Sequence, residues 1–172
     1  MKNILFKIQQ VLTYCAIVIA IITFIIGLGF MTNYYELFYE GTNEMFEYYK
    51  TLQILNRVIF NEAVVFVILA FILKIFDIHK KMPGIFGYIY VIVSSIYIIM
   101  TSNTILNAIP SYKNDYLAFD FSVMENYKAS TFAFDISTII FILWIIVSIM
   151  LILITTINFI RRIKFKKSQE IA

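Results

Sequence analysis

One cysteine, one histidine and one tryptophan occur in 172 residues, and several families of chemistry fall away with that scarcity. A single thiol, Cys15, forms no intrachain disulfide. Thiol-oxidising membrane enzymes need a cysteine pair, so that class is excluded. Cys15 sits inside an apolar run and reads as a small apolar filler. The lone His79 lies in a charged turn, and no His/Cys/carboxylate group has metal-ligand spacing. Walker loop, GxGxxG and GxSxG motifs are all missing. The expectation is a chain without enzymatic activity, metal or cofactor. No short alternating segments of the kind that build a membrane barrel occur either.

What the chain has in abundance is apolar length. It is 61% hydrophobic with a mean hydropathy of +0.84, well above soluble domains of this size. In solution such runs would have no interior large enough to enter, whereas a bilayer is itself the apolar phase. A spanning helix needs about 20 apolar residues. Four segments qualify, at about 4–31, 58–76, 85–106 and 132–160. Backbone groups in lipid must be satisfied within the segment, so each is read as a helix. The fold class expected is an all-α membrane protein: one domain, 1–172, built as a four-transmembrane-helix bundle. The first run is too long for a signal peptide and lacks a small-x-small cleavage pattern, so it reads as an uncleaved span.

Charge segregates by side. Lys2, Lys7, Lys74, Lys80, Lys81, Arg161, Arg162, Lys164, Lys166 and Lys167 fall at one set of helix ends. Only Lys50, Arg57, Lys113 and Lys128 fall at the other, together with nearly all the carboxylates. The basic side is expected in the cytoplasm with both termini, making this a multi-pass protein of the cell membrane. The Ile-, Phe-, Tyr-, Asn- and Lys-rich composition suggests a bacterial, AT-rich genome. Lys80, Lys81, Arg161, Arg162, Lys164, Lys166 and Lys167 are assigned to anionic headgroups, and so short a basic stretch argues against nucleic acid. Lys74 is expected to snorkel. The turn from Asp77 to Gly84 is short and broken by Pro83-Gly84, so spans two and three are antiparallel neighbours.

The two outer loops are dense in aromatics: Tyr34, Tyr35, Phe38, Tyr39, Phe46, Tyr48 and Tyr49 in the first, Tyr112, Tyr116, Phe119, Phe121 and Tyr127 in the second. An interfacial belt is the default reading, and a partner surface the sharper one. Both loops are expected to re-enter helix before the membrane, extending helices 2 and 4. Thr42 or Asn43 caps the first extension, which would run to Asp77, about 50 Å at 1.5 Å per residue. Its apolar stripe is Met45, Tyr48, Leu52, Leu55, Ile59, Glu62, Phe66, Leu69, Leu73 and Phe76. In the second loop Ser122-Val123-Met124-Glu125 matches a capping box. Glu47-Tyr48-Tyr49-Lys50 and Glu125-Asn126-Tyr127-Lys128 align under one ungapped shift that also lays span one on span three, the mark of a tandem hairpin repeat.

Polar residues at membrane depth are costly and often functional. Arg57, Asn61, Glu62, Asn103, Asn107 and Asp135 all fall near the outer leaflet, and an intramembrane cluster built from them is expected. Arg57 would neutralise the carboxylates, either as a structural network or as a ligand site. Gly27 and Gly29 near the outer end of span one offer close helix contact without a GxxxG motif. Three roles fit: an accessory or scaffold subunit bound to another membrane protein or to itself; a small homo-oligomeric transporter or channel using Glu62; or an envelope sensor or immunity protein binding an external peptide or lipid. Small multidrug transporters carry an acidic residue deep in their first span, and span one here has none.

Overall fold

The computed structural model describes residues 2–78 and 85–170, with side chains for 4–75 and 85–164. Long helices dominate: α1 (Lys2–Thr32), α3 (Asn43–Ile78), α4 (Ile85–Leu117) and α5 (Phe132–Glu170). A one-turn helix, α2 (Glu36–Tyr39), joins α1 to α3, and a 3-10 turn at Phe121–Val123 lies between α4 and α5. No strand occurs among the described residues. All four long helices are long and apolar enough to cross a membrane. The lysines at 80, 81, 166 and 167, His79 and the Pro83-Gly84 break lie outside the residues whose side chains are described.

The helices form a ring in which α1 packs on α3 and α5, and α4 packs on α5 and α3. Neighbours run antiparallel, as pairs at both ends require: Lys74 Nζ lies over the Tyr14 ring while Phe60 meets Gly27. On α4 and α5, Tyr88 stacks on Phe159 at one end and Lys113 reaches Asp135 at the other. Residues 32–43 and 117–132 therefore share one end of the bundle, the aromatic end. The end of α3, the start of α4 and the α5 C-terminus share the opposite end.

The centre is filled by side chains from diagonal helices. Phe66 of α3 meets Trp144 of α5 edge-on, with centroids 4.8 Å apart. The Trp144 indole N–H donates to Thr23 Oγ1 of α1 at 2.9 Å. Thr23 in turn donates to its own helix at Ile19 O, 2.8 Å. Thr13, Thr101, Thr104, Ser137 and Thr138 use the same i−4 carbonyl bond. It satisfies a hydroxyl in lipid without a partner helix. A further polar pair joins α1 and α5 nearer the end opposite the aromatic one: Asn158 Nδ2 donates to Gln9 Oε1 at 2.8 Å.

The stripe on α3 is buried as Met45, Tyr48, Leu52, Leu55, Ile59, Ala63, Phe66, Ala70 and Leu73. Ala63 and Ala70 hold the places that the sequence reading gives to Glu62 and Leu69. A step of four instead of three between Ile59 and the next buried residue rotates Glu62 off the core. The alanines suit an inner face that must also admit Trp144. Of the two glycines near the end of α1, Gly27 makes the close approach: a Cβ placed there would lie 3.5 Å from Phe60 Cα. Gly29 would meet only Asn33. Cys15 faces outward rather than filling the interior.

Helix ends depart from the sequence reading on one side. The extension of α3 begins at Asn43, with Met45 N–H donating to Thr42 Oγ1 at 3.4 Å. The capping box at Ser122 does not form. Met124 is extended (φ −110°, ψ 114°), Asp120 Oδ1 takes the Ser122 N–H, and α5 starts only at Phe132. Burial of Met124 and the Tyr127–Tyr116 contact outweigh a local cap that tertiary packing would have to forgo. It is α4 that runs past its apolar stretch, through Pro110 to Leu117. The two Glu-x-Tyr-Lys segments consequently differ: 47–50 is helical and 125–128 is not.

Between α2 and α3, Gly41 is required by space. A Cβ there would stand 2.6 Å from Leu37 O and 2.9 Å from Met45 Cβ. Gly41→Ala is expected to cost about 1–3 kcal/mol through overpacking against fixed backbone. A lower melting temperature of the detergent-solubilised protein would report it, and an unchanged one would show that the turn relaxes freely.

Candidate functional site

The six polar residues singled out from sequence do not converge. Arg57, Asn61, Asn103, Asn107 and Asp135 are exposed, and Glu62 is half-buried. Asp135, on the first turn of α5, bonds Lys113 of α4 and, at 2.8 Å, Thr131. Glu62 bonds the Tyr97 hydroxyl, at 2.7 and 2.9 Å from its two oxygens. Arg57 neutralises neither carboxylate: Asp135 pairs with Lys113, and Glu62 bonds Tyr97. The inward face at this depth goes to Leu55, Asn56, Ile59 and Ser102 instead.

Tyr97 escaped the sequence reading because it lies in an Ile-rich stretch. A signal was present: Glu62 and Tyr97 are roughly equidistant from the short connection between α3 and α4, and an antiparallel hairpin sets such residues opposite one another. The pair sits on the outer surface of the bundle, with Tyr97 39% exposed. Glu62 lies about one turn into the apolar stretch of α3. Around it the surface alternates polar groups with Ile54, Val58, Val93, Ile96 and Met100. Carboxylates at membrane depth ordinarily face a bundle interior or a partner.

The rings of the aromatic end divide into two populations. Tyr34, Tyr48, Tyr116 and Phe134 are buried and continue the core of the bundle into its aromatic end. Tyr116 packs edge-on to Tyr34 at 5.2 Å, and Phe30 edge-on to Phe134 at 5.2 Å. Their hydroxyls are all committed. Tyr34 donates to Ser130 O, Tyr48 to Tyr112 O, and the Tyr116 oxygen both accepts from Ser130 N–H and shares a 2.7 Å bond with Tyr127. Burial and the Tyr116 bond push the Tyr127 phenol well above its ordinary range. The second population is exposed: Tyr39 packs against Tyr35 and Phe38, and Phe38 against Phe46.

Between these loops opens a cleft of about 450 Å³, lined from the end of α1, α2, residues 126–130 and the start of α5. Its charged lining residues are Glu36 and Lys128. The sequence reading missed it because its walls come from segments nearly a hundred residues apart.

No family model, curated protein or solved structure matches the chain. What the fold defines is a class, the multi-pass helical membrane protein, and the role within that class rests on the chain's own residues.

Proposed function

We propose that the chain is a non-catalytic accessory or scaffold subunit of a cell-membrane assembly, bacterial by its composition, with both termini in the cytoplasm. The observation that carries this reading is the Glu62–Tyr97 pair on the surface shared by α3 and α4. In a lone bundle that carboxylate faces hydrocarbon with a single phenol as partner, an arrangement costing a few kcal/mol. A neighbouring membrane helix offering a donor removes the cost. Arg57 and Asn61 on α3, and Asn103 and Asn107 on α4, are further exposed polar residues on the same two helices, nearer the aromatic end. Interhelical bonds of this kind contribute about 0.6–2 kcal/mol each in membranes. The ten-to-four division of Lys and Arg between the two ends supports the orientation.

Tagged chain extracted from its native membrane in mild detergent is expected to run as a defined larger complex. Glu62→Gln and Tyr97→Phe are expected to shift most of it to the free chain, while Lys113→Gln at the other polar pair leaves the complex intact. A monomer from native membranes at every extraction strength argues against the reading. If instead the complex contains only this chain and Glu62→Gln abolishes solute flux in vesicles, the transporter reading takes its place. Reporter tags at residues 1 and 172 test the orientation, and opposite faces would overturn it.

A further inference from the structure

We propose that the cleft at the aromatic end is a binding site for a small zwitterion, one that carries a primary ammonium and a phosphate or carboxylate on adjacent carbons. The cleft holds about 450 Å³, within the range of small-molecule sites. It presents one charge of each sign. Glu36 and Lys128 both line it, and neither takes part in an ion pair or side-chain hydrogen bond among the described residues. The amides of Asn33 and Asn126 stand beside them and supply both donors and acceptors. A carboxylate accepts from an ammonium and a lysine donates to an anion, so a ligand bearing both groups satisfies both walls with charge-assisted bonds. A simple anion or cation would leave one wall uncompensated.

The cleft is also braced, which separates it from a gap between loose loops. Tyr34 and Tyr127 line it, and the hydroxyl network through Tyr116 and Ser130 ties their two segments together. Binding therefore needs little ordering of the walls. Its floor is Phe132 and Ala133, where α5 enters its apolar stretch, and Thr32, where α1 leaves its own. That places the ligand at the boundary of the hydrocarbon zone. Two sources share the required chemistry, the ethanolamine phosphate headgroup of a membrane lipid and a free phosphoethanolamine or β-amino acid. The boundary position favours the headgroup. The site is independent of the α3–α4 surface and stands whether or not that surface docks a partner.

The test uses the purified full chain. O-Phosphoethanolamine is titrated by calorimetry into protein held in a phosphate-free, ethanolamine-free detergent. In parallel, nanodiscs of mixed phosphatidylethanolamine and phosphatidylcholine are examined by mass spectrometry for retained lipid. Saturable uptake of phosphoethanolamine, or selective retention of phosphatidylethanolamine, is expected. The first outcome alone identifies a soluble ligand and the second a headgroup. Glu36→Gln and Lys128→Met are each expected to weaken binding about tenfold, the worth of one charge-assisted bond. On the unaltered chain, ethanolamine and inorganic phosphate offered separately are expected to bind at least about tenfold more weakly than the joined molecule. No saturable uptake of either probe, or equal binding of the separated halves, overturns the proposal. A Glu62→Gln chain is expected to bind as the natural one does.

Discussion

Trp144→Ala is expected to lower the stability of the bundle by about 2–3 kcal/mol, the largest effect of any single interior truncation on this chain. Truncating a buried tryptophan in a soluble core costs about 3–5 kcal/mol. In lipid part of that sum vanishes, because unfolded helices also keep their side chains in an apolar phase. The cavity remains, and with it the lost dispersion contacts to Phe66 across the bundle axis. Trp144→Phe separates the two contributions. It keeps most of the volume and removes the N–H that bonds Thr23. Thr23 retains its own bond to Ile19 O, so the second variant is expected to lose only about 1 kcal/mol. Unfolding by SDS in mixed micelles measures both. Equal stability of Trp144→Ala and the natural chain would contradict a ring packed at the centre.

The second large effect is expected at Tyr116, where a single oxygen removed by Tyr116→Phe should loosen the whole 118–131 loop. That hydroxyl is fully buried and serves two groups, the Ser130 amide and the Tyr127 hydroxyl. Leaving a buried donor without a partner costs about 1–3 kcal/mol. The ring itself stays, so the contacts to Tyr34 and Phe134 survive, and any change reports the hydrogen bonds. Exchange of the Ser130 amide is expected to accelerate about tenfold or more, and tryptic cleavage at the exposed Lys128 to quicken with it. Protection of Ser130 equal to that of the natural chain would place the loop's anchorage elsewhere.

The same network predicts how this end responds to pH. The Tyr127 phenol is held in its neutral form, so its ionisation lies above that of a free phenol near 10.0. The folded cap keeps the proton that an unfolded chain would release. Its contribution to stability is therefore fully present below pH 10 and is lost as the pH climbs beyond it. Burial raises Tyr34 and Tyr48 in the same direction, so near-ultraviolet circular dichroism through that range is expected to show a transition that Tyr127→Phe reduces.

Much of the architecture was legible before any coordinates. Four runs of apolar residues, each about as long as a bilayer needs or longer, dictate four helices, because a helix satisfies its own backbone polar groups in lipid. The short 77–84 turn makes α3 and α4 antiparallel neighbours. The start of α3 at Asn43 was legible from Thr42 and the spacing that follows it. These features depend on neighbours within a few residues, which is the range over which sequence acts alone.

Where side chains point was another matter. In a helix that is apolar all round, periodicity carries little information, so nothing in the sequence distinguishes the face holding Glu62 from the face holding Ala63. Only the packing of α3 against α1 and α4 makes that choice, and it turns Glu62 outward to Tyr97. The helix expected from Ser122 was legible in the wrong way: a sound local cap lost to the burial of Met124 and Tyr127.

The sequence by itself determined how many times the chain can cross a membrane and which ends carry its positive charge, since both follow from runs and counts along the chain. Tertiary structure decided the rest: that buried tyrosines carry the core into the aromatic end through shared hydrogen bonds, that Glu62 bonds Tyr97 and not Arg57, and that Glu36 and Lys128 share one cleft. Those outcomes join residues far apart in the chain, and they are set by which helices pack together.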